Sequence, residues 1–130
     1  MKPETASWVE IAEDDYRTIR ITMNSRPPIY RSSCYHAQQC AEKYLKAFLY
    51  EHSINFARTH DLPGLLALCQ AMDVACQMLT NQIVLLDPLV SMFRYPDPRA
   101  KAVRATRNDA QRAYQAATEV RAFIRAKLGI

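Results

Sequence analysis

The stretch Tyr30–Glu51 reads YRSSCYHAQQCAEKYLKAFLYE and contains neither glycine nor proline. Its apolar residues recur at helical rather than alternating spacing. Ala37, Cys40, Ala41, Tyr44, Leu45, Ala47, Phe48 and Leu49 make an arc broad enough to face several neighbours. The opposite side carries Gln38, Gln39, Glu42, Lys43, Lys46 and Glu51. Glu42 and Lys46 stand in the acid-before-base i,i+4 order, which supports a helix by about 0.3 kcal/mol. This is the pattern of the central helix of a bundle.

Upstream, a first helix is predicted over residues 4–24. Pro3 suits its start, Glu4 and Glu10 favour its positive end, and Trp8, Ile11, Ala12, Tyr16, Ile19 and Met23 trace an inward stripe. Asn24, Ser25 and the Pro27-Pro28 pair stop it, and Arg26–Arg31 (RPPIYR) is an extended connection.

Downstream, the central helix ends near His52, and Ser53-Ile54-Asn55 turns the chain. A short third helix is expected from Leu62, with Asp61 as its N-cap, Pro63 in the first turn and Leu62, Leu65, Leu66 and Leu68 buried. A fourth follows over Val74–Leu86, then a cap-and-restart at Asp87-Pro88 into a helical piece to Met92. Phe93–Pro98 is a loop by its two prolines. A long final helix is predicted over Arg99–Leu128, with Ala102, Ala105, Ala110, Ala113, Ala116, Ala117, Val120, Phe123 and Ile124 on its packing side. The expected architecture is all-α: a mostly antiparallel, up-and-down bundle of four main helices plus a short fifth, one domain over residues 1–130.

With 49% apolar and 23% charged residues, a chain of 130 residues buries a real core without a disulfide or metal staple. No apolar run reaches membrane-spanning length, and MKPETASWVE lacks the apolar core of a signal peptide, so a cytoplasmic, non-membrane protein is expected. Cys34, Cys40, Cys69 and Cys76 show no C-x-x-C spacing and read as small buried hydrophobes in a reducing cell. His36 and Cys40 lie one helical turn apart, but no further ligands complete a metal site, so neither metal nor cofactor is expected.

The formal charge of +4 is uneven: Arg99, Lys101, Arg104, Arg107, Arg112, Arg121, Arg125 and Lys127 crowd the last 32 residues. Such a helix attracts nucleic acid, an anionic nucleotide or an acidic partner, or else presents a solvated outer face. Gly64 and Gly129 are the only glycines, which excludes Gly-rich phosphate loops. There is no nucleophile-elbow serine, no H-E-x-x-H and no Glu-x-x-His. Most enzyme classes are unsupported.

Tyr35–Ala47 (YHAQQCAEKYLKA), Arg58–Leu62 (RTHDL) and Arg94–Asp97 (RYPD) together resemble the three recurrent blocks of the HEPN domains (higher eukaryotes and prokaryotes nucleotide-binding), in the same order. Trp8 and Asp14-Asp15-Tyr16 fit the family's first helix. The resemblance implies a four- to five-helix bundle that usually dimerises. It also implies, for compact prokaryotic members, pairing with a minimal nucleotidyltransferase as toxin and antitoxin. Some branches are metal-independent ribonucleases marked by an Arg followed after four to six residues by a His. There His moves a proton at the ribose 2′-hydroxyl or the leaving oxygen, and Arg stabilises phosphoryl charge.

Arg31–His36 (RSSCYH) has that spacing, although 12 Arg and 3 His in this chain give about 0.8 such strings by chance. It also lies at the start of the second helix, whereas the family's ribonucleases carry the motif later. The late block at Arg94 has no following His. The first expectation is therefore a binding module: a homodimer that associates with a nucleotidyltransferase-family protein or with a nucleotide or RNA. One alternative is a ribonuclease using Arg31 with His36, or Arg94 with His60. Another is a non-catalytic dimerisation module whose basic last helix docks an acidic partner.

Candidate binding residues are Arg94, Tyr95, Asp97, Lys43, Lys46 and Asp61, each with a plainer alternative. Arg94 serves equally as a tie to helix-end carbonyls and Tyr95 as a wedge before Pro96. Lys43 and Lys46 read as solvated, and His60-Asp61 as a cap with a neighbouring polar contact. Trp8 reads as a core anchor, with a dimer contact as the alternative.

Overall fold

The computed structural model describes residues 1–93 and 104–130, and is helical throughout its regular structure. Among the described residues five α-helices follow in order: α1 (Pro3–Asn24), α2 (Tyr30–Glu51), α3 (Leu62–Met72), α4 (Thr80–Leu86) and α5 (Arg107–Leu128). Two 3-10 segments, Val74–Leu79 and Asp87–Val90, flank α4.

Local chemistry accounts for most boundaries. Pro3 opens α1, and the break at Ser25–Pro28 closes it. Asp61 caps α3 by accepting the Gly64 N–H at 3.1 Å. A β-carbon at Gly64 would meet the Asp61 carboxylate, so a larger residue there would have to displace the capping side chain. At α5 the Asp109 N–H donates to Thr106 Oγ1 (3.2 Å) while Asp109 Oδ2 accepts from the Thr106 N–H (2.8 Å). This capping box sets the helix start at Arg107. The predicted start at Arg99 is thus corrected: Arg104–Thr106 is not helical, and residues 99–103 lie outside the described residues. Gly129, left-handed at φ 76°, ends the helix.

The predicted fourth helix is also shorter than expected. Val74–Leu79 is a 3-10 segment because the Asp73 carboxylate accepts the Ala75 N–H at 3.0 Å and tightens the first turn. The piece expected to reach Met92 stops at Val90.

α2 is the axis. α1 runs antiparallel to it, with Thr5 Oγ1 donating to Glu51 at one end (2.9 Å) and Thr22 bonded to Ser33 at the other (2.7 Å). α5 packs on both: Tyr16 meets Thr118 at 2.9 Å, and Arg125 donates to the Tyr44 hydroxyl at 3.3 Å. Tyr44, Leu45, Phe48 and Leu49 are enclosed together with Ile19, Leu62, Leu65, Ile83, Leu86 and Ile124. Ala110, Ala113 and Ala117 are fully buried, and their small side chains let α5 sit close against its neighbours. All four cysteines are buried and free.

Three expectations about burial fail. Ile11 and Leu68, predicted to face inward, are 47% and 37% exposed. The polar side of α2, whose Lys46 reads from sequence as solvated, is enclosed: Gln38, Gln39, Glu42 and Lys46 are all buried. After α2 the chain turns at Ser53, a left-handed residue at φ 57°, and folds back along α2 before α3 begins. That returning segment, together with α1, covers the polar side.

Candidate functional site

Gln38, Gln39, Glu42, Lys43 and Lys46 recur every three or four residues and so form one stripe along α2. With four of them buried and Lys43 half-buried, each needs a polar partner. Glu42 is 2% exposed; its Oε2 accepts from Lys46 Nζ at 3.3 Å, and its Oε1 lies 2.6 Å from His60 Nδ1. The Lys46 ammonium sits 5.6 Å from the Trp8 ring centre and 5.9 Å from that of Phe56. Those two rings meet edge to face at 6.0 Å. The cation is thus matched by one carboxylate and two ring faces.

The rest of the stripe is a directed chain of hydrogen bonds. Lys43 Nζ donates to Asp15 Oδ2 (3.3 Å) and to Gln39 Oε1 (2.9 Å). Gln39 Nε2 donates to Gln38 Oε1 (2.7 Å), and Gln38 Nε2 donates to the His60 carbonyl (3.4 Å). At the α1 end, His36 Nδ1 lies 2.8 Å from Asp15 Oδ1. Two imidazoles therefore end one polar seam, each with its Nδ1 on a carboxylate.

The candidate residues from sequence fall into distinct places. His36, His60, Lys43 and Lys46 all belong to this seam. Lys46 is 6% exposed, which corrects its reading as a solvated lysine. Asp61 is the α3 cap, with its backbone N–H donating to Thr59 Oγ1. Arg31 is exposed on the first turn of α2, outside the seam. Five residues along a helix correspond to about 140° of rotation and about 7.5 Å of rise, so Arg31 and His36 project in different directions. Arg94, Tyr95 and Asp97 lie outside the described residues.

Sequence reasoning passed over Glu42, Gln38, Gln39 and Asp15 as site residues. The available signal was that five polar side chains share one stripe of a helix whose remaining surface is largely apolar over the same turns. The basic final helix is partly internal. Arg121 grips Glu13 at 2.7 and 2.6 Å, and Lys127 reaches Asp73 at 2.7 Å. Apart from the seam, a shallow groove of about 250 Å³ runs between α4 and α5, lined by Gln82, Leu85, Arg112 and Glu119 among others.

Helices packed around an enclosed central one, with a polar seam inside, define an all-helical bundle domain. The HEPN domain family model matches residues 5–127, and the chain belongs to that family. The structure is similar to the crystal structure of TT1696 from Thermus thermophilus. The two share 28% identity and a TM-score of 0.84 over 97% of this chain and 99% of that one. It shares its fold with ST0689, an archaeal HEPN homologue, at 24% identity and a TM-score of 0.73 over 98% of each chain. No curated protein matches. Among the described residues no helix is long and apolar enough to cross a membrane.

Proposed function

We propose that this HEPN domain acts through binding: it dimerises and associates with a nucleotidyltransferase-family partner or a nucleotide, without catalysis of its own. The toxin–antitoxin pairing typical of compact family members is the setting this implies. What supports a binding role over ribonuclease chemistry is the geometry of the one Arg–His string of family spacing among the described residues. Arg31 is exposed, while His36 is tied to Asp15 at 2.8 Å on a different side of α2. Phosphodiester cleavage needs both groups converging on one phosphate.

The test is sedimentation of the purified chain together with RNA cleavage in EDTA, with His36→Ala and Arg94→Ala variants alongside. A folded dimer that cuts no RNA and binds a nucleotide or a nucleotidyltransferase is the expected result. Cleavage abolished by either substitution overturns the proposal in favour of a metal-independent ribonuclease. A monomer that binds nothing overturns it altogether.

A further inference from the structure

His60 is the most exposed member of the polar seam, with a side chain 63% accessible, yet buried groups hold it at two points. Glu42 takes its Nδ1 at 2.6 Å, and Gln38 donates to its backbone carbonyl at 3.4 Å. An ionised carboxylate only accepts, so Nδ1 donates to Glu42 and Nε2 is the nitrogen left for a ligand. Among the described residues Nε2 has no partner.

Two residues earlier, at the bend before His60, Arg58 is exposed and pairs with no carboxylate among the described residues. The neighbouring acids are already engaged. Glu42 is offset by Lys46, and the Asp61 carboxylate accepts the Gly64 N–H in the first turn of α3. Arg58 and the outer edge of His60 are therefore the basic side chains of this segment open to an anion. A guanidinium fork two residues from an imidazole edge, both exposed, supplies the donors that phosphate oxygens accept. A ring already oriented by the seam loses little freedom on binding.

We propose that Arg58 and His60 form a binding site for the phosphate groups of a nucleotide, with Glu42 and Gln38 as positioning residues. This rests on the nucleotide-binding part of the function proposed above and gives it a location. If His60 served only to cover the buried Glu42, Arg58 would be irrelevant and Nε2 would never meet a ligand.

The experiment is a long-range proton–nitrogen NMR titration of the full chain with ATP, tripolyphosphate and adenosine, the ring assigned through His60→Gln. ATP and tripolyphosphate are expected to shift the His60 Nε2 resonance, and adenosine to leave it in place. Arg58→Ala is expected to weaken ATP binding about tenfold, whereas Arg20→Ala, on the exposed side of α1, leaves it unchanged. Glu42→Gln is expected to redistribute the His60 tautomers and weaken binding; if that variant does not fold, the wild-type titration and Arg58→Ala decide. ATP binding with His60 unmoved and Arg58→Ala silent overturns this site and leaves the binding function standing. Shifts with adenosine but not tripolyphosphate overturn phosphate recognition. A wild-type chain that binds no ATP overturns both this site and the nucleotide half of the proposed function, leaving the protein-partner half to stand alone.

Discussion

Glu13 and Arg121, separated by 108 positions in sequence, meet in a two-point fork: Arg121 Nε donates to Oε2 at 2.7 Å and Nη2 to Oε1 at 2.6 Å. The guanidinium also lies 4.7 Å from the centre of the Tyr16 ring, and Arg125 adds a longer bond to Glu13 at 3.4 Å. The pair joins α1 to α5 beside the Tyr44 hydroxyl of α2, to which Arg125 also donates at 3.3 Å.

Acid should loosen this clasp. Hydrogen bonding from Arg121 holds the Glu13 carboxyl below its ordinary value of 4.5, against a smaller opposing effect of burial. The Lys2 backbone N–H does the same for Glu51, and Lys127 for Asp73. A carboxyl with a depressed folded-state pKa adds stability above its unfolded value and loses it as pH falls through the folded one. Melting temperature is therefore expected to hold near neutrality and drop as pH falls below about 4.5, measured by thermal melts through the carboxylate range. Glu13→Gln should melt lower at neutral pH, by about 1 kcal/mol after allowance for partial exposure, and lose less in acid.

Breaking the buried pair on α2 should cost more than removing it. Glu42→Met leaves the Lys46 ammonium, 8% exposed, without its carboxylate, for a loss of about 3 kcal/mol. Lys46→Met leaves Glu42 buried with His60 Nδ1, at 2.6 Å, as its remaining partner, and should also destabilise. The double variant Glu42→Met/Lys46→Met is expected to recover most of that loss, so urea unfolding of the four proteins should be strongly non-additive. Additive losses would mean that the pair is not the unit of stability.

Close approach at α5 should tolerate no extra volume. Ala117 is fully buried, and Ala117→Leu is expected to destabilise by about 2 kcal/mol through overpacking. Arg112→Ala, on the exposed side of the same helix, should change stability by less than about 0.5 kcal/mol. Denaturant midpoints measured in parallel separate the two.

The four thiols should be silent in the native state. Burial pushes Cys34 and Cys69 up to about 12 and raises Cys40 and Cys76 as well. Ellman's reagent is expected to leave all four unmodified in the folded protein and to react with all four in denaturant. Rapid native labelling of any one would show that its helix opens locally.

How much was legible from residues alone depended on distance along the chain. Periodicity and the absence of glycine and proline placed α2 at Tyr30–Glu51, and the Asp61 cap placed α3, because both signals act within one or two helical turns. The Thr106–Asp109 box is equally local, but it is masked in sequence by an alanine-rich run that reads as one longer helix. Likewise, Asp73 tightening the Val74–Leu79 turn is a side-chain effect that apolar spacing does not display.

Amino-acid order by itself determined that the chain is all-helical, where its central helix lies and that it resembles the HEPN family, since these depend on short-range pattern. Only the tertiary structure decided that the polar stripe of α2 is an interior seam. Whether Glu42 faces water or His60, 18 positions away, depends on how Ser53–Asp61 returns along the helix. Helical periodicity reports which residues share a face. Burial of that face depends on which distant segment covers it, and for α2 that segment was the connection folding back.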